Sequence, residues 1–141
     1  MSIKIKTDEN ILEIGLTMPE KDLPDNCIEI SYYQNGSEGW GTGGDEYITK
    51  YDLTVIADGF RSILNGNIKE FFYECGETEQ YYEKYRKPVL KISLKKEKMI
   101  LSMIETLERQ TYITVEGTDL SEYAATFFNW KKKFCIAVNN N

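Results

Sequence analysis

The sequence predicts an α+β fold, an antiparallel sheet of about 6–8 strands with two helices packed on one face. Three observations predict it. Two segments repeat apolar residues at three- and four-residue spacing, most of the remaining chain alternates apolar and polar residues, and the strand-like runs are joined by connections too short for parallel crossovers.

Taken in order, Ile3 and Ile5 alternate with lysines, and Leu12, Ile14 and Leu16 alternate with Glu13 and Gly15. These are two short strands joined by the polar turn Thr7 to Asn10. Cys27 to Tyr33 is a third, ended by Asn35-Gly36, a dipeptide whose residues tolerate the positive φ of a tight turn. A fourth, weaker strand falls around Trp40 to Ile48. Leu53, Ile56, Ala57, Phe60, Ile63 and Leu64 then form one face of a helix over Asp52 to Asn65, with Asp52 as N-cap and Gly66 as the stop. Strands follow at Ile68–Glu74, Val89–Leu94, Ile100–Leu107 and Ile113–Glu116. In the second helix Leu120, Tyr123, Ala124, Phe127 and Trp130 make the apolar stripe, and Asp119 with Glu122 resembles a capping box. Lys131, Lys132 and Lys133 fall in its last turn, where cations complement the helix dipole. Ala137 to Asn141 reads as a frayed end.

The order is four strands and a helix, twice over. Both helices begin alike, at Asp52-Leu53-Thr54 and Asp119-Leu120-Ser121, 67 residues apart. The chain thus reads as a single domain over 1–141 with two pseudo-repeat halves, 1–66 and 67–141.

At 141 residues and 41% hydrophobic composition the chain can bury a sizeable core without staples. Its first ten residues interleave charges with apolar side chains, unlike a signal peptide, and no apolar run approaches the roughly 20 residues that span a bilayer. A cytoplasmic protein without a membrane role is expected. Cys27, Cys75 and Cys135 are an odd, scattered set lacking C-x-x-C spacing, so they read as reduced, mostly buried small hydrophobes rather than a disulfide framework or a zinc site.

The net charge of −6 is uneven. Residues 1–60 hold 4 basic and 12 acidic side chains, a balance of −8, whereas residues 61–141 hold 13 basic and 11 acidic, a balance of +2. An acidic N-terminal half repels phosphate backbones, which argues against nucleic acid and favours a basic partner. Acidity for solubility alone is the competing reading.

The chain contains no histidine. That removes the side chain most used for proton transfer near neutral pH, and with it Ser-His-Asp and Cys-His mechanisms. No carboxylate pair stands out among 23 acidic residues, so no enzyme, metal or cofactor is expected. The run from Gly39 to Gly44 matches G-x-G-x-x-G, but Glu38, Asp45 and Glu46 flank it and would repel a pyrophosphate, and the residues after it look extended rather than helical. Trp40 within these glycines either packs across the sheet into the core or stands ready for a partner. Between two strands, Cys75 to Pro88 is long for a hairpin loop; its Tyr81, Tyr82 and Tyr85 either cover the sheet end or form a recognition surface. The candidate partner-binding residues are therefore Glu38, Trp40, Asp45, Glu46, Tyr81, Tyr82 and Tyr85.

The extended segment Ile30 to Gly44 with its aromatics and glycines, the stretch Tyr51 to Gly66, strands of the Val89–Leu94 type, and Glu116 to Leu120 entering a final amphipathic helix together resemble the WapI-like family of bacterial immunity proteins. The likeness runs from about residue 28 to residue 134. It implies a cytoplasmic antitoxin, monomeric or homodimeric, that binds a contact-dependent or secreted bacterial toxin and catalyses nothing. Many such toxins are basic nucleases, which suits the acidic N-terminal half. The alternative from another class is a non-enzymatic scaffold or regulatory module.

Overall fold

The computed structural model describes residues 2–6, 11–17, 26–35, 37–38, 46–78, 90–104 and 112–136. It contains strands β1 (Ser2–Lys6), β2 (Ile11–Thr17), β3 (Cys27–Gln34), β4 (Ser37–Glu38) and β5 (Glu46–Thr49), then helix α1 (Lys50–Leu64). Strands β6 (Glu70–Cys75), β7 (Glu77–Thr78), β8 (Leu90–Lys95), β9 (Lys98–Ile104) and β10 (Tyr112–Gly117) follow, and then helix α2 (Leu120–Lys131). A π-helical turn, Lys132–Ile136, continues α2, so Lys132 and Lys133 lie in that turn rather than in the helix itself. The expected frayed end lies outside the described residues.

The fold is α+β with antiparallel pairing throughout, as expected, but the strands form two sheets rather than one. The first runs β1-β2-β3-β5-β7 with β4 also on β3; the second runs β10-β9-β8-β6. Edges β1 and β10 lie side by side without a ladder between them among the described residues. Twist accumulates strand by strand, so a large antiparallel sheet divides or curls instead of staying flat. At the other margin β6 and β7 are nearly continuous, and Gly76 between them has φ +96°, a left-handed conformation open mainly to glycine. That kink carries the chain from β8 in one sheet to β5 in the other.

Alternation builds the core. Ile3 and Ile5, Leu12, Ile14 and Leu16, and Ile28 and Ile30 are buried from the first sheet; Leu90, Ile92 and Leu94, and Met99, Leu101 and Met103 are buried from the second. Both sheets and both helices contribute to one hydrophobic cluster. Phe127 sits 5.1 Å from Phe60 and 5.0 Å from Trp130 between ring centroids, the latter pair edge to face, which locks the helices together.

The start of α1 corrects the sequence expectation. Thr49, not Asp52, is the N-cap: its hydroxyl accepts from the Asp52 N–H at 3.0 Å, and the Asp52 carboxylate accepts from the Thr49 N–H at 2.8 Å. Asp52 is thus the third helical residue and the answering member of a capping box, because Thr49 already has the extended backbone of a cap while Lys50 and Tyr51 are helical. The end of α1 is as expected: Gly66 has φ +75°, and the N–H groups of Gly66 and Asn67 donate to the carbonyls of Ile63 and Ser62. Asp119 caps α2 by accepting from the Glu122 N–H at 3.3 Å.

Candidate functional site

The second sheet turns three inward rows toward the helices: Phe71, Leu94 and Met99; Tyr73, Ile92 and Leu101; Cys75, Leu90 and Met103. Period-two alternation then fixes the outward rows. Glu70 is opposite Lys95, which is opposite Lys98; Glu74 is opposite Lys91, which is opposite Ser102; between them Phe72, Ser93, Ile100 and Glu116 form one row across four strands. Phe72 is 62% exposed. It stands between two carboxylates on its own strand, with the small Ser93 beside it and half-buried Ile100 beyond.

Ion pairs brace this face: Lys95–Glu70 at 3.5 Å, Lys91–Glu74 at 3.6 Å and Lys98–Glu116 at 3.7 Å. All are substantially solvated, so each contributes only about 0–1 kcal/mol. Their effect is chiefly to hold the carboxylates upright around an exposed aromatic ring.

Behind the same strand, β6 is tied to α1. The Phe71 ring covers Gly59 so closely that a Cβ there would lie 2.6 Å from it, and the Tyr73 hydroxyl donates to Asp52 Oδ1 at 2.7 Å. Burial, then the hydrogen bond to Asp52 and its charge, push the Tyr73 phenol well above its ordinary range. Burial and the Asp52 charge likewise push the Cys75 thiol up. Tyr51, 71% exposed, projects from the first turn of α1 within electrostatic reach of Tyr73.

The three cysteines, far apart in sequence, lie around this helix start as free thiols, but only Cys75 is buried, where burial of most was expected; Cys27 and Cys135 are half-buried. Cys27 is opposite Thr49, Cys75 feels the Asp52 charge, and the Cys135 thiol lies 3.6 Å from the Lys50 carbonyl. Cys27, Tyr47, Thr49, Asp52 and Gly76 line a shallow cleft there. Among the described residues no group of three or more Cys, Asp or Glu is arranged to hold a metal ion, and no helix is long and apolar enough to cross a membrane. A cleft of about 400 Å³ opens between the end of α1, the β8–β9 turn and the start of α2, with Lys96, Asp119 and Ser121 among its walls.

Of the residues expected to bind a partner, Glu38 pairs with Tyr33 in β4, and Glu46 pairs with Thr78 at the start of β5. β4 and β5 both pair with β3 on the edge that β2 does not occupy, and Glu46 follows the Tyr47↔Glu29 pair while Glu38 is opposite Tyr33, so the two glutamates lie along one edge a few residues apart. Trp40, Asp45, Tyr81, Tyr82 and Tyr85 lie outside the described residues. Sequence reasoning missed Phe72, although the signal was there: Phe71-Phe72-Tyr73 is a run of three aromatics in a strand, and alternation must send the middle ring to the opposite face from its neighbours.

No protein-family profile, curated protein or solved structure matches the chain.

Proposed function

We propose that this chain is an immunity protein, acting in the cytoplasm of the cell that makes it, which binds and occludes a basic toxin domain without catalysing a reaction. The observation that carries this reading is Phe72, exposed between Glu70 and Glu74 on an outward sheet face. A buried-on-binding aromatic supplies affinity, and the paired glutamates and lysines around it form a charged rim. The acidic balance of residues 1–60 and the resemblance to WapI-like immunity proteins support the same reading.

The test is genetic and then biochemical. The reading frame immediately upstream of the gene is examined for a large secreted protein with a variable C-terminal toxin domain, and that domain is co-expressed with this chain. Rescue of growth by the wild-type chain, and its loss with Phe72→Ala, is the expected result. Failure to rescue any neighbouring toxin, together with recovery of a housekeeping partner, would replace the antitoxin reading with that of a regulatory module.

A further inference from the structure

We infer that the free edge of β6 is a strand-capture site for an extended segment of a partner protein in which basic side chains lie two residues either side of an apolar one. The inference deepens the protein-binding reading and rests on it only for the identity of the protein that supplies the strand.

β6 is the last strand of its sheet, and among the described residues it has a ladder partner, β8, on one side only. The short pairing of β5 with β7 stops at Tyr47↔Glu77, beyond the end of β6, and α1 begins at Lys50. Among the described residues, no strand therefore pairs with the Glu70–Glu74 edge on the side away from β8. Such an edge presents unpaired N–H and C=O groups that accept another strand.

The side chains specify which strand. An antiparallel newcomer would place one residue opposite each of Glu70, Phe72 and Glu74 on the outward face. Directly opposed side chains are about 5 Å apart; Lys91 and Lys95, whose backbones lie on β8, reach across so that their ammonium groups stand 3.6 and 3.5 Å from the Glu74 and Glu70 carboxylates. A basic residue arriving on the side away from β8 meets each glutamate before the lysine already paired with it from β8, an attraction screened over about 8 Å at physiological salt. Basic residues opposite the glutamates extend the ladder of alternating charge that Lys95–Glu70 and Lys91–Glu74 begin, and an apolar residue opposite Phe72 covers its ring.

A second copy of this chain fits worse. Pairing β6 with itself about a two-fold axis through Phe72 sets Glu70 against Glu74 at both ends, and directly opposed like charges destabilise a strand pair.

The probe is a short synthetic peptide with lysines two residues either side of a central valine and threonines elsewhere, added to the full chain and followed by amide NMR and hydrogen exchange. Shifts and added protection confined to residues 70–74, weakening with salt, are expected. Glu70→Lys with Glu74→Lys should weaken binding about tenfold and transfer preference to a peptide bearing aspartates in place of the lysines. Should the reversed chain misfold, Glu70→Gln with Glu74→Gln should remove the salt dependence while retaining the fold. Protection elsewhere, binding indifferent to peptide charge, or concentration-dependent protection of 70–74 without peptide, which would mark a homodimer, each overturns the inference. The peptide result is independent of whether any toxin is neutralised in cells, so the two readings can fail separately.

Discussion

Tyr73 donates its hydroxyl to Asp52 at 2.7 Å while the other oxygen of the same carboxylate accepts the Thr49 N–H at 2.8 Å. One side chain thereby closes the N-terminus of α1 and fastens it to β6. Tyr73→Phe should cost about 1–2 kcal/mol, as for a hydrogen bond to a charged acceptor. Asp52→Ala, which loses the tyrosine bond and half of the capping box, should cost about 2–3 kcal/mol. Urea denaturation of both single variants and the double variant checks this, with the double expected to be less destabilised than the sum. Strict additivity would show that the bond contributes nothing.

Gly59 sits in a helix interior, where alanine is ordinarily favoured by about 1 kcal/mol. Here the Phe71 ring occupies the space, with three ring atoms 2.6–2.7 Å from where a Cβ would stand. Gly59→Ala should therefore destabilise by about 1–2 kcal/mol, overpacking outweighing propensity. In a Phe71→Leu background the same change should become neutral or stabilising, because the obstruction is gone. A loss of equal size in both backgrounds would assign the effect to something other than the ring.

Cys75 is buried beside the Asp52 charge, and its thiol is held above the ordinary value of about 8.5. The sign follows directly. Above that value the unfolded chain releases the proton while the folded chain keeps it, so the contribution is fully present below about pH 8.5 and declines as pH rises toward the raised folded value. Tyr73 adds a second decline above about pH 10, the ordinary phenol value, for the same reason. Stability measured from pH 7 to 10.5 should fall in that order, and Cys75→Ala should flatten the first stage. An unchanged slope in that variant would remove Cys75 as its source.

Phe72 carries the functional proposal and little of the fold. At 62% exposed, its replacement by alanine should change stability by no more than about 0.5 kcal/mol. Trp130→Ala, by contrast, removes a ring 1% exposed at the centre of the helix pair and should cost about 3–5 kcal/mol. Thermal denaturation of the two variants separates them. A large loss with Phe72→Ala would return that ring to the core and withdraw it from the binding surface.

Much of the molecule is local and was readable from the chain. Alternation places Leu90, Ile92 and Leu94 on one face whatever they pack against, and the spacing of Leu53, Ile56, Phe60 and Ile63 makes one helical stripe in any surroundings. The role of Asp52 was half readable: the sequence marked it for the helix start, but whether it caps or answers the cap depends on Thr49 being extended. Phe72 was readable as the odd ring among three aromatics. That it faces solvent beside two bound carboxylates depends on Lys91 and Lys95, some twenty residues later.

The sequence by itself determined both helices, the longer strands and their order, and most of the core, because each follows from periodicity and terminal signals within a few neighbouring residues; the two-residue strands β4 and β7 and the π-helical turn were not foreseen, and Leu64, expected on the buried face of α1, is 44% exposed. Only the tertiary structure decided that the strands part into two sheets, that Gly76 passes the chain from one to the other, that three scattered cysteines lie around one helix start, and that β6 pairs on one side only among the described residues. Those features arise from accumulated twist and from contacts between residues distant in sequence. Neither leaves a periodic trace in the chain.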